Sequence, residues 1–267
     1  MKNIHLFKQG FTLIELAMVL FIVGLLLGGL LVPYATSVER RDREESTKQL
    51  QDYQETLNGY AMVNGRLPCP DCKDNSGGCA AVTANDGLED QTGTSPNKVC
   101  ASLVGNIPWV TLNGRQFDAW GRAVTYRVTQ NFALEALNTT ATAPCVNSTL
   151  TAFDLCTPGD IQVYSSDAAT GAATGDVAQD VPAIVVAHGK NHYENAQSND
   201  EVENFDRNPT IFSSATNILA SYSGDVSKKF VYKNYTASGG SITYDDLMIW
   251  ISPFPLKNRM ITVGKLP

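Results

Sequence analysis

Residues 10–15 of the chain read Gly-Phe-Thr-Leu-Ile-Glu, and an apolar run over residues 16–32 follows directly. An apolar segment of about 20 residues is long enough to cross a bilayer. Residues 11–32 form an otherwise apolar segment that contains Glu15. A carboxylate at membrane depth costs about 2.5–3.5 kcal/mol on insertion scales. A charged residue retained at such a cost is expected to have a function.

The composition sets the class of protein and excludes several functions. The chain has 267 residues, of which 43% are hydrophobic and 18% charged, with a net charge of −7. A chain this acidic has no electrostatic footprint for nucleic acid. His188 and His192 do not form the H-E-x-x-H zinc motif because Gly189 follows His188. The sequence also lacks G-x-S-x-G and phosphate-loop motifs, so we predict no enzymatic activity.

Three interpretations compete for the amino-terminal segment. A secretory signal predicts an apolar core of about 7–15 residues, and the run over residues 11–32 is longer. A plain signal anchor explains this length and places Lys2 and Lys8 on the cytoplasmic side. It explains neither Glu15 nor the glycine at position 10, so we consider a third interpretation.

Residues 8–15, Lys-Gln-Gly-Phe-Thr-Leu-Ile-Glu, resemble the prepilin leader of type IV pilins and type II secretion pseudopilins. In that family a membrane peptidase cuts after the glycine, methylates the new amino terminus and leaves a glutamate at the fifth mature position. The resemblance implies processing between Gly10 and Phe11 and an assembly role for Glu15. It also implies three partners: like pilins or pseudopilins in a filament, prepilin peptidase and the inner membrane. The expected location is a single pass through that membrane with a periplasmic head, or a cell-surface filament.

The new amine on Phe11 suggests a partner for Glu15. Such an amine titrates near 7.7–8.0 in model compounds. In the low-dielectric core of a filament, the ammonium could pair with Glu15 of a neighbouring subunit. At about 4 Å and an effective dielectric near 20, the attraction is of order 4 kcal/mol. We therefore hypothesise that this pair sets the axial register between subunits.

The whole chain is predicted to be α+β. A long amino-terminal helix, membrane-spanning in its first half, packs on an antiparallel β-sheet head with disulfide-stapled loops. Pro33 is expected to kink the helix, and Asn64-Gly65 to end it. The predicted segments are a leader (1–10), a transmembrane or filament-core helix (11–33), an amphipathic helix (34–65), a cysteine-rich loop region (66–116) and a β-sheet head (117–267).

Alternating or apolar runs predict the strands of the head, at residues 124–128, 161–164, 181–187 and 242–252. Asp118-x-Trp120-Gly121 precedes the first of these strands and is similar to the segment that opens the carboxy-terminal sheet of major pseudopilins. The basic, apolar tail over residues 256–267 is expected to cover a sheet edge.

The chain has an even number of cysteines: Cys69, Cys72, Cys79, Cys100, Cys145 and Cys156. In an exported chain this favours disulfides. A four-thiolate zinc site and a thioredoxin-like redox pair are alternatives for the first four. We favour disulfides in which Cys69 and Cys72 pair with Cys79 and Cys100. Cys145 and Cys156 are expected to form a local staple.

Two acidic segments have contrasting interpretations. Residues 86–90 are expected to form a solvated acidic turn. Residues 199–206 correspond in order to a loop of the pseudopilin carboxy terminus, which the resemblance implies binds calcium. Calcium takes six to eight oxygen ligands. The alternative to a calcium site is a solvated acidic loop. Calcium is the one possible cofactor, and the predicted function requires none. The ligands implied are Asp200, Glu201, Glu203, Asp206 and Asp245.

The predicted function is that of a minor pilin-like structural subunit, because the head is large for a major filament subunit. The alternatives are a type II secretion pseudopilin and a tip-located adhesive or receptor-binding module. The sequence alone does not choose among the three, since function resides in sites and partners rather than in the fold.

Overall fold

The computed structural model describes residues 12–75, 77–135, 151–166, 174–190, 201, 204, 228–238 and 241–266. The chain divides into two compact units, Met1–Glu44 and Glu45–Pro267. The first unit holds the beginning of a long helix, and the second holds the rest of that helix and the sheets. Each unit is described by itself.

The long helix, α1, runs from Leu13 to Asn64 as one element of 52 residues. It continues through Pro33. None of the helices in the described part of the chain is both long and apolar enough to cross a membrane.

The second half of α1 is amphipathic, as its sequence predicts. Leu50, Tyr53, Leu57 and Ala61 recur at steps of three and four residues, and all four side chains are buried. Such spacing places them on one face of a helix. The helix ends where Gly65 adopts a φ of 73° and donates its N–H to the Ala61 carbonyl, as expected of a glycine C-cap.

Two larger sheets and two ribbons make up the strands that the structure describes in the head, and the α+β class is confirmed. The main sheet is antiparallel with the order β11-β7-β4-β3, and a second sheet has the order β6-β5-β8 with β5 parallel to β8. The ribbons β1-β2 and β9-β10 complete the strands described. The bounds are β1 Gln91–Thr92, β2 Val99–Cys100, β3 Val104–Asn106, β4 Thr125–Val128, β5 Ile161–Ser166, β6 Thr174–Val181, β7 Ala183–Ala187, β8 Lys229–Val231, β9 Thr236–Ser238, β10 Ser241–Tyr244 and β11 Leu247–Ile251. A 3-10 turn (Gly77–Ala81) and two further helices, α2 (Gln130–Ala133) and α3 (Pro253–Thr262), connect or follow these strands.

Strand β7 is central because both of its faces are buried. Ala183, Val185 and Ala187 contribute to a core that includes the buried face of α1. Ile184 and Val186 point to the other face and join a smaller core with β5 and β8. A strand covered on both faces is expected to be apolar throughout, as this one is.

Two predicted strands in the head are wrong in detail. The strand predicted over residues 181–187 is two strands divided at Pro182, which has no N–H for the ladder. The strand predicted over 242–252 is divided at Asp245 and Asp246 into β10 and β11. The tail forms helix α3, with proline at its first position and Leu256 and Met260 buried in the larger core.

The disulfides predicted in the cysteine-rich region are present. Cys69 bonds to Cys100, and Cys72 bonds to Cys79. Cys156 is also disulfide-bonded, and the one cysteine left over in the sequence, Cys145, lies outside the described residues.

The acidic turn at 86–90 is less solvated than its composition predicts. Glu89 accepts two hydrogen bonds from the Arg66 guanidinium, at 2.6 and 2.7 Å, and others from the Tyr60 hydroxyl and the Cys69 N–H. Burial opposes ionisation of Glu89, but the bonds and charge of Arg66 hold its pKa below the usual value. Asp90 is buried and accepts from the Cys72 N–H. The turn therefore anchors the cysteine-rich region to α1.

Candidate functional site

The first candidate site is the start of α1, where Thr12 and Glu15 form a reciprocal capping box. The Thr12 N–H and hydroxyl both donate to Glu15 Oε2, at 3.0 and 2.9 Å. In return the Glu15 N–H donates to the Thr12 hydroxyl oxygen at 3.3 Å. These bonds satisfy N–H groups that a helix start leaves without an intrahelical partner. The T-x-x-E spacing was visible in the sequence, yet sequence reasoning assigned no role to Thr12.

Apolar side chains lie exposed along the first turns that follow. Eleven large hydrophobic side chains between Leu13 and Leu26 are exposed, from 43% at Val23 to 87% at Leu13. A continuous apolar surface of this kind marks a protein or membrane contact. Gly10 and Phe11, the predicted processing residues, lie outside the described residues.

The second candidate site lies where β7 ends and β11 begins. Leu247 pairs with Ala187 in the antiparallel register. Continuing that register places Asp246 beside His188 and Asp245 beside Gly189. A Cβ added to Gly189 would lie 2.4 Å from the Asp245 carboxylate carbon, and Gly189 has a φ of 62°. Glycine is therefore required for Asp245 to approach the end of β7.

Three carboxylates meet at this point, and we call Glu201, Asp245 and Asp246 the acidic cluster. One oxygen from each lies within 4.8 Å of the others, and the residues are only 1%, 2% and 4% exposed. The Asp245 N–H donates to Glu201 Oε1 at 2.8 Å, and the Lys190 N–H donates to Asp245 Oδ2 at 2.7 Å. Burial raises the pKa of Asp246 to about 7, against a lowering hydrogen bond from Asn204.

A fourth carboxylate, Asp118, lies in electrostatic reach of the cluster. Its Oδ1 accepts from the N–H groups of Trp120 and Arg122, which shapes the turn before β4. Its Oδ2 is buried and has no hydrogen-bond partner among the residues described. Burial raises the pKa of Asp118 to about 6, and the negative charge of Asp245 acts in the same direction.

The acidic cluster fits a hard divalent cation. Calcium–oxygen distances are about 2.3–2.6 Å, so ligands on opposite sides of one ion are about 5 Å apart. The cluster's oxygens all lie within 4.8 Å of one another, which is inside that span. Buried carboxylates that are close together repel one another, and a cation would neutralise them. Glu201, Asp245 and Asp246 are the residues that would hold it.

The structure describes only part of the ligand set expected from the sequence. It brings Glu201 and Asp245 together, whereas Asp200, Glu203 and Asp206 lie outside the described residues. Sequence reasoning missed Asp246, although the Asp-Asp pair beside a strand was a usable signal.

His188 lies between Thr125 and Asp246 in a buried polar row. Its Nε2 lies 2.8 Å from the Thr125 hydroxyl, and its Nδ1 lies 3.7 Å from Asp246 Oδ1. This order of threonine, histidine and aspartate is similar to that of a hydrolase triad. Thr125 and His188 are each only 2% exposed, so no substrate can reach the hydroxyl. Thr125 and His188 are therefore part of the packing around the acidic cluster. His192 lies outside the described residues.

The family model of the prokaryotic N-terminal methylation motif matches residues 7–31. The chain carries this motif. Its presence is consistent with a type IV pilin or pseudopilin and supports a subunit of that general type. The methylation motif implies assembly with pilin-like subunits, processing by prepilin peptidase and a membrane-anchored or surface filament location. No match was found among curated proteins or solved structures.

Proposed function

We propose that the chain is a minor pilin-like structural subunit that assembles through its N-terminal helix into a type IV pilus or related filament. The methylation motif over residues 7–31 carries this proposal. The exposed apolar surface of early α1 supports it, because that surface needs a membrane before assembly and neighbouring helices afterwards. The disulfides of the head suit a periplasmic or extracellular location.

Within this proposal, cleavage after Gly10 frees an amine on Phe11, and that amine pairs with Glu15 of a neighbouring subunit. The capping box gives Glu15 a second role, because its carboxylate also holds the Thr12 N–H and hydroxyl of its own helix. Charge pairing needs the negative charge, whereas capping needs only an acceptor oxygen. The two roles can therefore be separated by substitution.

The test compares Glu15→Gln, Glu15→Leu and Thr12→Ala in cells that assemble filaments. Glutamine keeps a capping acceptor without the charge, leucine removes both, and Thr12→Ala removes the hydroxyl part of the capping box while keeping the charge. We expect all three to insert and be processed, both Glu15 variants to be missing from sheared filaments, and Thr12→Ala to be incorporated. Normal incorporation of Glu15→Leu would contradict an assembly role for Glu15. Failure of Thr12→Ala with normal Glu15→Gln would assign that role to capping.

We also propose that the acidic cluster binds calcium. The observations that support it are the close approach of three buried carboxylates and the buried Oδ2 of Asp118 nearby. Calorimetry on the full chain in detergent is expected to show calcium binding that Asp245→Asn combined with Asp246→Asn abolishes. The exposed Asp52→Asn serves as the matched control. An absence of heat in the unsubstituted chain would refute the site.

One observation favours the alternative of a type II secretion pseudopilin. The Asp118-x-Trp120-Gly121 segment forms a turn ordered by the Asp118 carboxylate immediately before β4. This is the position that the resemblance to major pseudopilins implies. Deleting the gene and scoring protein secretion against twitching and surface pili separates the two functions. Loss of secretion with intact pili would favour the pseudopilin, and loss of pili with intact secretion would favour the pilin.

A further inference from the structure

The side chain of Asn204 is buried and makes several hydrogen bonds to segments that are distant in the sequence. Its Oδ1 accepts from the Val231 N–H at 2.7 Å, and its Nδ2 donates to the Val231 carbonyl at 2.9 Å. The same Nδ2 donates to Asp246 Oδ2 at 2.8 Å and lies 3.2 Å from the Tyr244 hydroxyl. An amide has two N–H groups, and the two shortest contacts lead to Val231 and Asp246.

The two bonds to Val231 make the Asn204 side chain act as a neighbouring strand. Val231 is the last residue of β8, which lies at one edge of the β6-β5-β8 sheet. An edge strand exposes N–H and C=O groups that otherwise need water or another partner. The Asn204 amide satisfies both groups of one residue, and the Tyr244 hydroxyl adds a donor to the same carbonyl at 2.6 Å.

The same side chain reaches the acidic cluster by two routes. One is direct, through the bond from Nδ2 to the Asp246 carboxylate, which fixes the orientation of that carboxylate. The other follows the backbone, since the Asn204 N–H donates to the Glu201 carbonyl at 3.2 Å. Glu201 and Asn204, which this bond joins, therefore supply one cluster carboxylate and one clamp on β8, respectively.

We propose that Asn204 is a positioning residue that couples cation binding at the acidic cluster to the order of edge strand β8. This inference rests on the calcium site proposed above. A cation held by Glu201 and Asp246 fixes both attachments of Asn204, and Asn204 in turn holds Val231. Without the cation, repulsion among the carboxylates loosens Glu201 and Asp246, and the clamp on β8 weakens with them.

The experiment measures calcium binding and amide hydrogen exchange together on the full chain in detergent. In the unsubstituted chain, saturating calcium is expected to slow exchange of the Val231 N–H about tenfold or more. Asn204→Ala is expected to weaken calcium binding about tenfold and to abolish the calcium effect on Val231. Asn106→Ala is the matched control, because Asn106 is also buried and its Nδ2 bonds to Asn85 instead of the cluster. This control should change exchange near its own site and leave the calcium response of Val231 intact.

The conservative variant Glu201→Gln keeps an acceptor oxygen for the Asp245 N–H and removes a cluster charge. Val231 protection in Glu201→Gln should appear only at the higher calcium concentrations where this variant binds. If Asn204→Ala does not fold, the effect of calcium on Val231 exchange in the unsubstituted chain still tests the coupling. Calcium heat with unchanged Val231 exchange would overturn the coupling and leave the calcium site standing. No calcium heat at all would overturn the site and the coupling together.

Discussion

The Arg66–Glu89 pair is expected to contribute strongly to stability, because its carboxylate is paired and partly removed from water. The two side chains are 13% and 19% exposed, and Glu89 also accepts from Tyr60 and Cys69. Arg66→Leu would leave Glu89 charged and largely buried without its cation. Breaking a buried pair in this way costs about 3–5 kcal/mol, and partial exposure reduces this to about 2–3 kcal/mol. Urea unfolding of the two proteins measures the difference.

The matched control is Arg259→Leu, since Arg259 also makes two bonds to a carboxylate, that of Glu55. That pair is 40% and 64% exposed, so its loss should cost less than about 1 kcal/mol. Equal losses in the two variants would show that burial is not what strengthens the Arg66–Glu89 pair.

Asp71 predicts a pH dependence of stability. The residue is fully buried, its Oδ2 accepts from the Gly87 N–H at 3.1 Å, and its Oδ1 has no partner in the described part of the chain. Burial raises its pKa to about 6, and the charges of Asp90 and Asp86 act in the same direction. The folded state therefore binds this proton more tightly than the unfolded state, whose pKa is near 3.9. The resulting destabilisation is absent below pH 4, grows between pH 4 and 6, and is complete above pH 6.

Asp71→Asn removes the charge while keeping an acceptor oxygen for Gly87. Its free energy of unfolding is expected to exceed that of the unsubstituted chain by about 2–3 kcal/mol at pH 7 and to converge with it toward pH 4. Denaturant titrations across this pH range test the difference, with the exposed Asp52→Asn as control. A constant offset between the variants at all pH values would contradict the assignment to Asp71.

At the scale of elements, the two disulfides should differ in their contribution to stability. Cys69–Cys100 closes a separation of 31 residues, and Cys72–Cys79 closes 7. The loop-entropy relation gives about 3.7 kcal/mol for the longer loop and about 2.4 kcal/mol for the shorter one. Replacing each pair by alanine should therefore lower the free energy of unfolding more for Cys69 and Cys100. Urea titrations check the order, and a larger loss for the shorter loop would contradict it.

Helix α3 and strand β7 show which elements a sequence can predict. The apolar run of β7 predicts a buried strand because both of its faces contact a core. The prolines at 253 and 255 end the preceding strand, as predicted, but proline is also favoured in the first turn of a helix. Only the packing of Leu256 and Met260 into the larger core decides for the helix.

For the molecule as a whole, calcium should set the stability of the head. A ligand present at about 100 times its dissociation constant stabilises the folded state by about 2.7 kcal/mol. Chelation with EGTA is therefore expected to lower Tm by about 5–10 °C, using about 2–4 °C per kcal/mol for a domain of this size. Asp245→Asn combined with Asp246→Asn should remove the calcium dependence, and Asp52→Asn should keep it. Calorimetric scans with calcium and with EGTA that give one Tm would contradict the prediction.

The sequence by itself determined the features that reside in contiguous residues. These are the methylation motif, the amphipathic half of α1, its end at Asn64 and the buried strand β7, because local spacing specifies each of them. The tertiary structure decided which cysteines pair, that Glu89 meets Arg66, and that Glu201 and Asn204 meet Asp246. Those partners are separated by 7 to 45 residues in the chain, and strand register and loop closure bring them together. A carboxylate such as Glu89 looks solvated in a sequence because its countercharge, here Arg66, lies in a distant segment. Only folding places the two side by side.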